Sequence, residues 1–226
     1  TARLLQSMYR LNTLKEIECG VGPNRNSVKK IEDKTSNEVS IIPQTLGNML
    51  VGGEEKNKNF FFSDTFEYAK LRIVNKLKEE TIDEYRLFNN MLSSQPMAFN
   101  LFHPLMMIQK ASPDILNKMI QNAFPQFPIY TVDEIKIEFI PTPVGNYTND
   151  KSAMDAAIIF SDVKGNRYLI AIEVKYTDSL GTNKASENVL KYNFAKELDQ
   201  FTNEGLSLIE SGCTQIYRNY LLTEKY

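Results

Sequence analysis

The spacing of apolar residues changes character about midway along the chain. Before residue 130 it is helical. Phe66, Ala69, Ile73, Val74 and Leu77 fall on one helical face, and Asp64 with Glu67 is spaced as a capping box at its start. Ile82, Tyr85, Phe88 and Leu92 form a second stripe, opened in the same way by Thr81 and Glu84. Ser112-Pro113-Asp114 opens a third helix with Leu116, Met119, Ile120 and Ala123 inward, stopped by Pro125 and Pro128. From residue 135 the period becomes that of a strand. Ile135, Ile137 and Phe139 alternate with Lys136 and Glu138, closed by Pro141 and Pro143.

Two apolar runs follow, 153–160 and 168–176, joined by the turn-rich stretch 162–167 containing Gly165-Asn166. They predict a β-hairpin whose strands, apolar on both faces, are central and covered. Residues 188–209 have the spacing of a long amphipathic helix (Val189, Phe194, Leu198, Phe201, Leu208) ended by Gly212, and Gln215 begins another. Residues 1–62 are the least regular part, with a helical-looking start at Leu4, Leu5, Met8 and Tyr9 and a small apolar piece at Ile41 and Ile42. The expected division is an irregular N-terminal arm or cover over 1–62 and a mixed α/β core over 63–226. The chain begins with Thr1 and ends in a helix without a polar cap, so both ends are expected to be cut.

Composition narrows the function. The 226 residues are 42% hydrophobic and 11% aromatic, enough for a real core, and 26 basic against 28 acidic residues leave a net charge of −2. That balance excludes a histone-like coat of positive charge but allows a local basic groove. Cys19 and Cys213 cannot build a disulfide framework or a four-sulfur zinc site. The single histidine, His103, rules out mechanisms that need two. There is no P-loop motif, no apolar run near the roughly 18 residues of a membrane span, and no signal-peptide core. A soluble, cytoplasmic protein with no membrane partner is expected.

The informative chemistry lies on the hairpin. Centring its turn on Lys164 sets Asp155 opposite Glu173, since the two are equidistant from that centre. Glu173 and Lys175, two apart, share a strand face, and Asp155 joins it by pairing; a one-residue slip would send Asp155 to the other side. Two facing carboxylates repel by up to about 1 kcal/mol, and burial raises the cost. Lys175 offsets one charge; a divalent cation offsets both. Hard carboxylate oxygens with room for water suit Mg²⁺, and a lysine beside it can orient water and stabilise developing negative charge. The plain alternative is a Glu–Lys pair at a strand end beside an unrelated Asp, because Glu-x-Lys is a common tripeptide.

Asp155, followed by Glu173-Val174-Lys175 within helix–strand–hairpin–helix surroundings, resembles the PD-(D/E)XK nuclease superfamily. Leu92 to Phe102, Asp150 to Asp155 and Ile172 to Tyr176 are similar, more narrowly, to an uncharacterised bacterial branch assigned to restriction endonucleases. Leu4 to Arg10 and Gln215 to Asn219 fit that branch too. The resemblance implies a restriction-endonuclease-like αβββαβ core with a central mixed sheet flanked by helices. It implies Mg²⁺, with Mn²⁺ able to substitute, and hydrolysis of DNA phosphodiester bonds as a restriction or defence endonuclease. Asp155 and Glu173 would be the metal ligands and Lys175 the water-positioning cation. The chain departs from the pattern in carrying Met154 where the superfamily's name has Pro. The fourth core strand does not follow before Tyr226, and is expected either in a further C-terminal part or replaced by another way of completing the core.

Other residues carry weaker signals. Asp150 fits a turn or an additional ligand, and Glu67, Glu79, Glu80 and Glu84 fit solvated helix charge or a further acid of the site. Ser93, Ser94 and Gln95, before Pro96, read either as a helix stop or as polar contacts beside the metal or the nucleic-acid backbone. His103 reads as structural, Met106 and Met107 as core filler. Gln215 and Arg218 lie on the last helix; Arg218 has the donor fork to grip a phosphate, or is a surface arginine. Residues 164–196 hold six basic residues against three acidic, and residues 1–30 six against two. Such modest patches suit a shallow DNA groove without base readout, and leave room for a homodimer. The rival readings are a non-catalytic nucleic-acid- or protein-binding module on the same fold, and an unrelated α/β domain.

Overall fold

The computed structural model describes residues 2–22, 28–32, 39–78, 80–147, 152–177 and 214–226. The expected helix over 188–209, together with Glu79 and Asp150, lies outside the described residues. The chain packs as two compact units, one of residues 1–74 with 82–100, the other of residues 75–81 with 101–226. This grouping and the division at residue 62 are different cuts of the chain.

The first unit holds helix α1 (Ala2–Asn12), the antiparallel pair β1 (Val28–Glu32) and β2 (Val39–Pro43), and the helices α2 (Gly53–Lys56), α3 (Ser63–Val74) and α4 (Glu84–Asn89). Its core holds an aromatic cluster, Phe60, Phe66 and Phe88, with ring centroids 5.7–5.8 Å apart, beside the buried Met49, Leu50 and Leu87. Arg10 is 2% exposed and donates to the carbonyls of Gly47, Glu16 and Glu18. A buried guanidinium without such partners would be costly, so this tie anchors α1. Helix α4 is capped by Asp83, whose carboxylate accepts from the Arg86 N–H at 3.0 Å. The cap therefore falls two residues after Thr81, and α3 begins at Ser63, so Asp64 sits in its first turn rather than capping it.

Helix α5 (Ser94–Ala111) gives residues 94–100 to the first unit and 101–111 to the second. It corrects the helix-stop reading of residues 93–95: this stretch opens a helix. Pro96 falls in the first turn, where a missing N–H costs nothing. Helix α6 (Pro113–Ala123) starts on Pro113 as expected and buries Leu116 and Ile120. Met119 and Ala123, expected inward, are exposed, as are Val74, Leu77 and Met107. His103 is buried, in keeping with a structural role.

The second unit is built on an antiparallel sheet in the order β3 (Thr131–Phe139), β4 (Met154–Ser161), β5 (Arg167–Ile172). The fold is thus mixed helix and strand, as a restriction-endonuclease-like core requires, and the strands paired among the described residues are all antiparallel. Strand β4 is buried along almost its whole length, as its two-sided apolar sequence requires. Strand β5 differs from the expectation: it has one hydrogen-bonded neighbour among the described residues, its first two residues are exposed, and it ends at Ile172 rather than Tyr176.

The β4–β5 register has every pair, from Ala156↔Ile172 to Ser161↔Arg167, equidistant from Lys164, as the hairpin arithmetic required. The turn is organised by Asp162. Its Oδ1 accepts from the N–H groups of Lys164 (2.8 Å) and Asn166 (2.9 Å), and its Oδ2 from the Asn166 amide (2.8 Å) and the Tyr168 hydroxyl (3.1 Å). These donors, the Asn166 amide foremost, pull the Asp162 carboxyl down to about 2. Gly165 takes φ 82°, a left-handed conformation that glycine adopts without strain.

The last helix, α7 (Thr214–Lys225), lies against this sheet. Leu222, 1% exposed, packs with Met154 and Ala157, while Tyr226 meets Phe139 edge-on at 5.6 Å and stacks on Tyr147 at 6.3 Å. Met154, the residue before Asp155, thus gives α7 an apolar seat on β4. Leu222→Ala is expected to cost about 2–5 kcal/mol through lost burial and a cavity that β4 cannot collapse into. A lower urea midpoint at unchanged slope would register it; an unshifted midpoint would show that α7 contributes nothing to this core.

Candidate active site

Strand β5 stops where the site begins. The Val174 N–H, which would continue the ladder, instead donates to Asp155 Oδ2 at 2.7 Å. The exchange of a ladder bond for a carboxylate bond ends the strand at Ile172 and holds Asp155 beside residues 173–175. Across β4 the ladder also skips a step. It runs through Ile137↔Ala156 and Phe139↔Met154 but not through Glu138 and Asp155 between them, and Glu138 has φ 51°. That is an uncommon conformation for a residue with a side chain.

The Lys175 ammonium forms an ion pair with Glu173 Oε1, their side chains 25% and 16% exposed. The other oxygen, Glu173 Oε2, accepts from the Asn219 amide at 2.7 Å. Burial, and next the Glu173 charge within hydrogen-bonding reach, push the Asp155 carboxyl from its usual 3.8 up to about 6. The Val174 N–H and the Lys175 charge oppose that shift without cancelling it. Asp155, Glu173 and Lys175 are therefore brought together, one step beyond the last ladder pair, Ala156 and Ile172, rather than as a cross-strand pair within it.

The other candidates fall elsewhere or on other duties. Gln95 Oε1 accepts from the Asp83 N–H at 3.1 Å, and Ser94 begins α5; both belong to the first unit. Glu67 is exposed and paired with Lys70 at 2.7 Å, Glu84 is exposed at the start of α4, and Glu80 accepts from the Leu77 N–H. These are the ordinary uses of helix and turn acids. Gln215 lies in the first turn of α7; Arg218, half-buried, is the neighbour of Asn219. Asn219 itself was not singled out. Its signal was faint: it shares a helical face with Leu222 and Tyr226, at spacings of three and seven residues.

Among the described residues, no cluster of three or more His, Cys, Asp or Glu side chains is placed to hold a metal. The donor set at Asp155 and Glu173 is nevertheless suited to a hard divalent cation. It is all oxygen, and two adjacent carboxyls, one of them reluctant to ionise beside the other, are relieved by a cation. Mg²⁺ commonly takes one or two carboxylates and keeps water for the rest of its shell.

Fold and site together define a class: a mixed α/β protein whose hairpin, at the point where its strands separate, carries two acids and a lysine. The chain belongs to the PD-(D/E)XK nuclease superfamily, whose family model matches residues 1–226. Membership makes nuclease activity on nucleic acid the general class of function, with a divalent metal as the usual cofactor of that class. No curated protein and no solved structure was found similar to the chain. No described helix is long and apolar enough to cross a membrane.

Proposed function

We propose that this protein is a Mg²⁺-dependent DNA endonuclease of restriction or defence type, acting in the bacterial cytoplasm. The observation that carries the reading is the meeting of Asp155, Glu173 and Lys175 at one end of the hairpin, with Asp155 raised toward neutrality by burial first and by Glu173 next. Asp155 and Glu173 would hold the ion. Bound there, it would supply positive charge against a phosphoryl oxygen and lower the pKa of water. Lys175, tethered to Glu173, holds a cationic donor beside the reacting phosphate, where it orients the attacking water and stabilises developing charge. Met154, the residue before Asp155, packs with Leu222 and so ties β4 to α7 next to the carboxylate.

Purified protein incubated with supercoiled plasmid and with single-stranded DNA, in Mg²⁺, Mn²⁺ or EDTA, tests this. Nicking in either metal and none in EDTA is expected. Intact plasmid and intact single strands under every condition, with DNA bound, would favour a non-catalytic binding module instead.

A further inference from the structure

Glu173 is held from both sides. The Lys175 contact joins residues two apart in the chain, just past the end of β5. The Asn219 contact spans 46 residues of chain and comes from a side chain that is 9% exposed. Burying an amide costs about 1–3 kcal/mol if its groups go unbonded, so this one is placed where its donor is used.

Packing of α7 explains the placement. Leu222 seats on Met154 and Ala157, and Tyr226 against Phe139 and Tyr147. Asn219, Leu222 and Tyr226 lie on one helical face. The apolar grip of the second and third on β3 and β4 fixes the rotation of the helix, and that rotation aims the first at Glu173.

We propose that Asn219 is a positioning residue for Glu173, and that α7 thereby sets how tightly the site takes a divalent cation. This rests on the nuclease reading above. An ionised carboxylate has about four lone-pair directions. Lys175 takes one on Oε1 and Asn219 one on Oε2, and the two that remain serve the Asp155 carboxyl, which lies within hydrogen-bonding reach, or a hard cation in place of its proton. Held by two donors, the carboxylate has already lost the torsional freedom that ion binding would otherwise have to remove. Asparagine suits the task because it is neutral: it orients Glu173 without the electrostatic competition a second ammonium would bring.

The test uses the full chain, with Mn²⁺ alone as the calorimetric probe and plasmid nicking beside it. Asn219→Leu keeps bulk and burial but removes the donor; Asn219→Ala leaves space and gives a second folded form to measure. Asn219→Gln keeps the amide on a longer stem. Leu and Ala are expected to bind Mn²⁺ about 10–100-fold more weakly, the usual loss when a partner of a metal ligand is removed. Gln should recover part of that loss. At saturating metal, kcat should fall while KM for DNA stays put. A residue that merely docks α7 predicts otherwise: Mn²⁺ affinity would follow melting temperature, and the space-filling Leu would restore both. Wild-type Mn²⁺ affinity in Leu and Ala alike overturns the proposal. Absence of Mn²⁺ binding by the wild-type protein overturns the metal-site reading on which it stands, a separate and distinguishable result.

Discussion

Changing Lys175 to methionine is expected to lower plasmid nicking by about 10²–10⁴-fold at saturating Mg²⁺, the usual contribution of a positioned proton-transfer group. Methionine keeps most of the apolar stem, which covers neighbouring surface, and removes the ammonium. Mn²⁺ affinity should stay within severalfold of wild type. Two effects oppose: Glu173 loses a donor that orients it, but also loses a cation that competes for its charge, while Asn219 still holds the other oxygen. Glu173→Ala differs, since it removes an oxygen ligand and should depress binding and cleavage together. Calorimetric Mn²⁺ titration beside a nicking assay separates the two variants. A Lys175→Met protein that nicks at the wild-type rate would mean that lysine serves only as a counter-ion to Glu173.

The same residues show what a sequence can and cannot disclose. The hairpin was legible because an antiparallel ladder is rigid arithmetic: once the turn centre is known, each pairing follows, and the six observed β4–β5 pairs keep that register. The early end of β5 was not legible. An apolar run continues through Val174, but its N–H leaves the ladder for a carboxylate, which is a tertiary choice. Pro96 misled because proline both stops helices and opens them; which it does depends on whether the preceding turn exists. Met119 and Ala123 fell on the predicted face of α6 and are exposed, because a stripe drawn from spacing alone is wider than the contact its helix makes. Asn219 was hidden for a stronger reason. The stretch Gln215 to Asn219 drew notice by resemblance, but the partner of Asn219 is determined by how α7 rotates on the sheet, and that depends on the shapes of Met154, Leu222 and Tyr226.

Metal-free Asp155→Asn protein should melt above wild type at pH 8, and the gap should close as the pH falls toward 4. The sign follows from the carboxyl's displacement. Asp155 is raised from 3.8 to about 6, by burial first and by Glu173 next. The folded state therefore favours its protonated form. The stability this provides is fully present below the unfolded value and is lost as pH rises through the folded one. Above pH 6 the wild-type protein carries an ionised Asp155 against Glu173 at a cost on the order of 3 kcal/mol at most. Asparagine never ionises, still accepts from the Val174 N–H, and offers its amide to Glu173 as a donor. For a chain of this size the gap corresponds to as much as roughly 10 °C. Asp162, pulled down to about 2, also titrates in acid: the stability it provides is present above its unfolded value and lost as pH falls through the folded one. Both proteins share that loss, so it drops out of the difference. Mn²⁺ should reverse the order at pH 8, because mass action stabilises whichever protein binds the ion, and the Asn variant offers it one carboxylate fewer. Differential scanning fluorimetry from pH 4 to 8, in EDTA and in tenfold steps of Mn²⁺, reads all of this. If Asp155 instead served an ordinary ion pair with Lys175, its neutralisation would strand a partly buried ammonium. The variant would then melt below wild type in EDTA at pH 8, and the metal shifts of the two proteins would be equal.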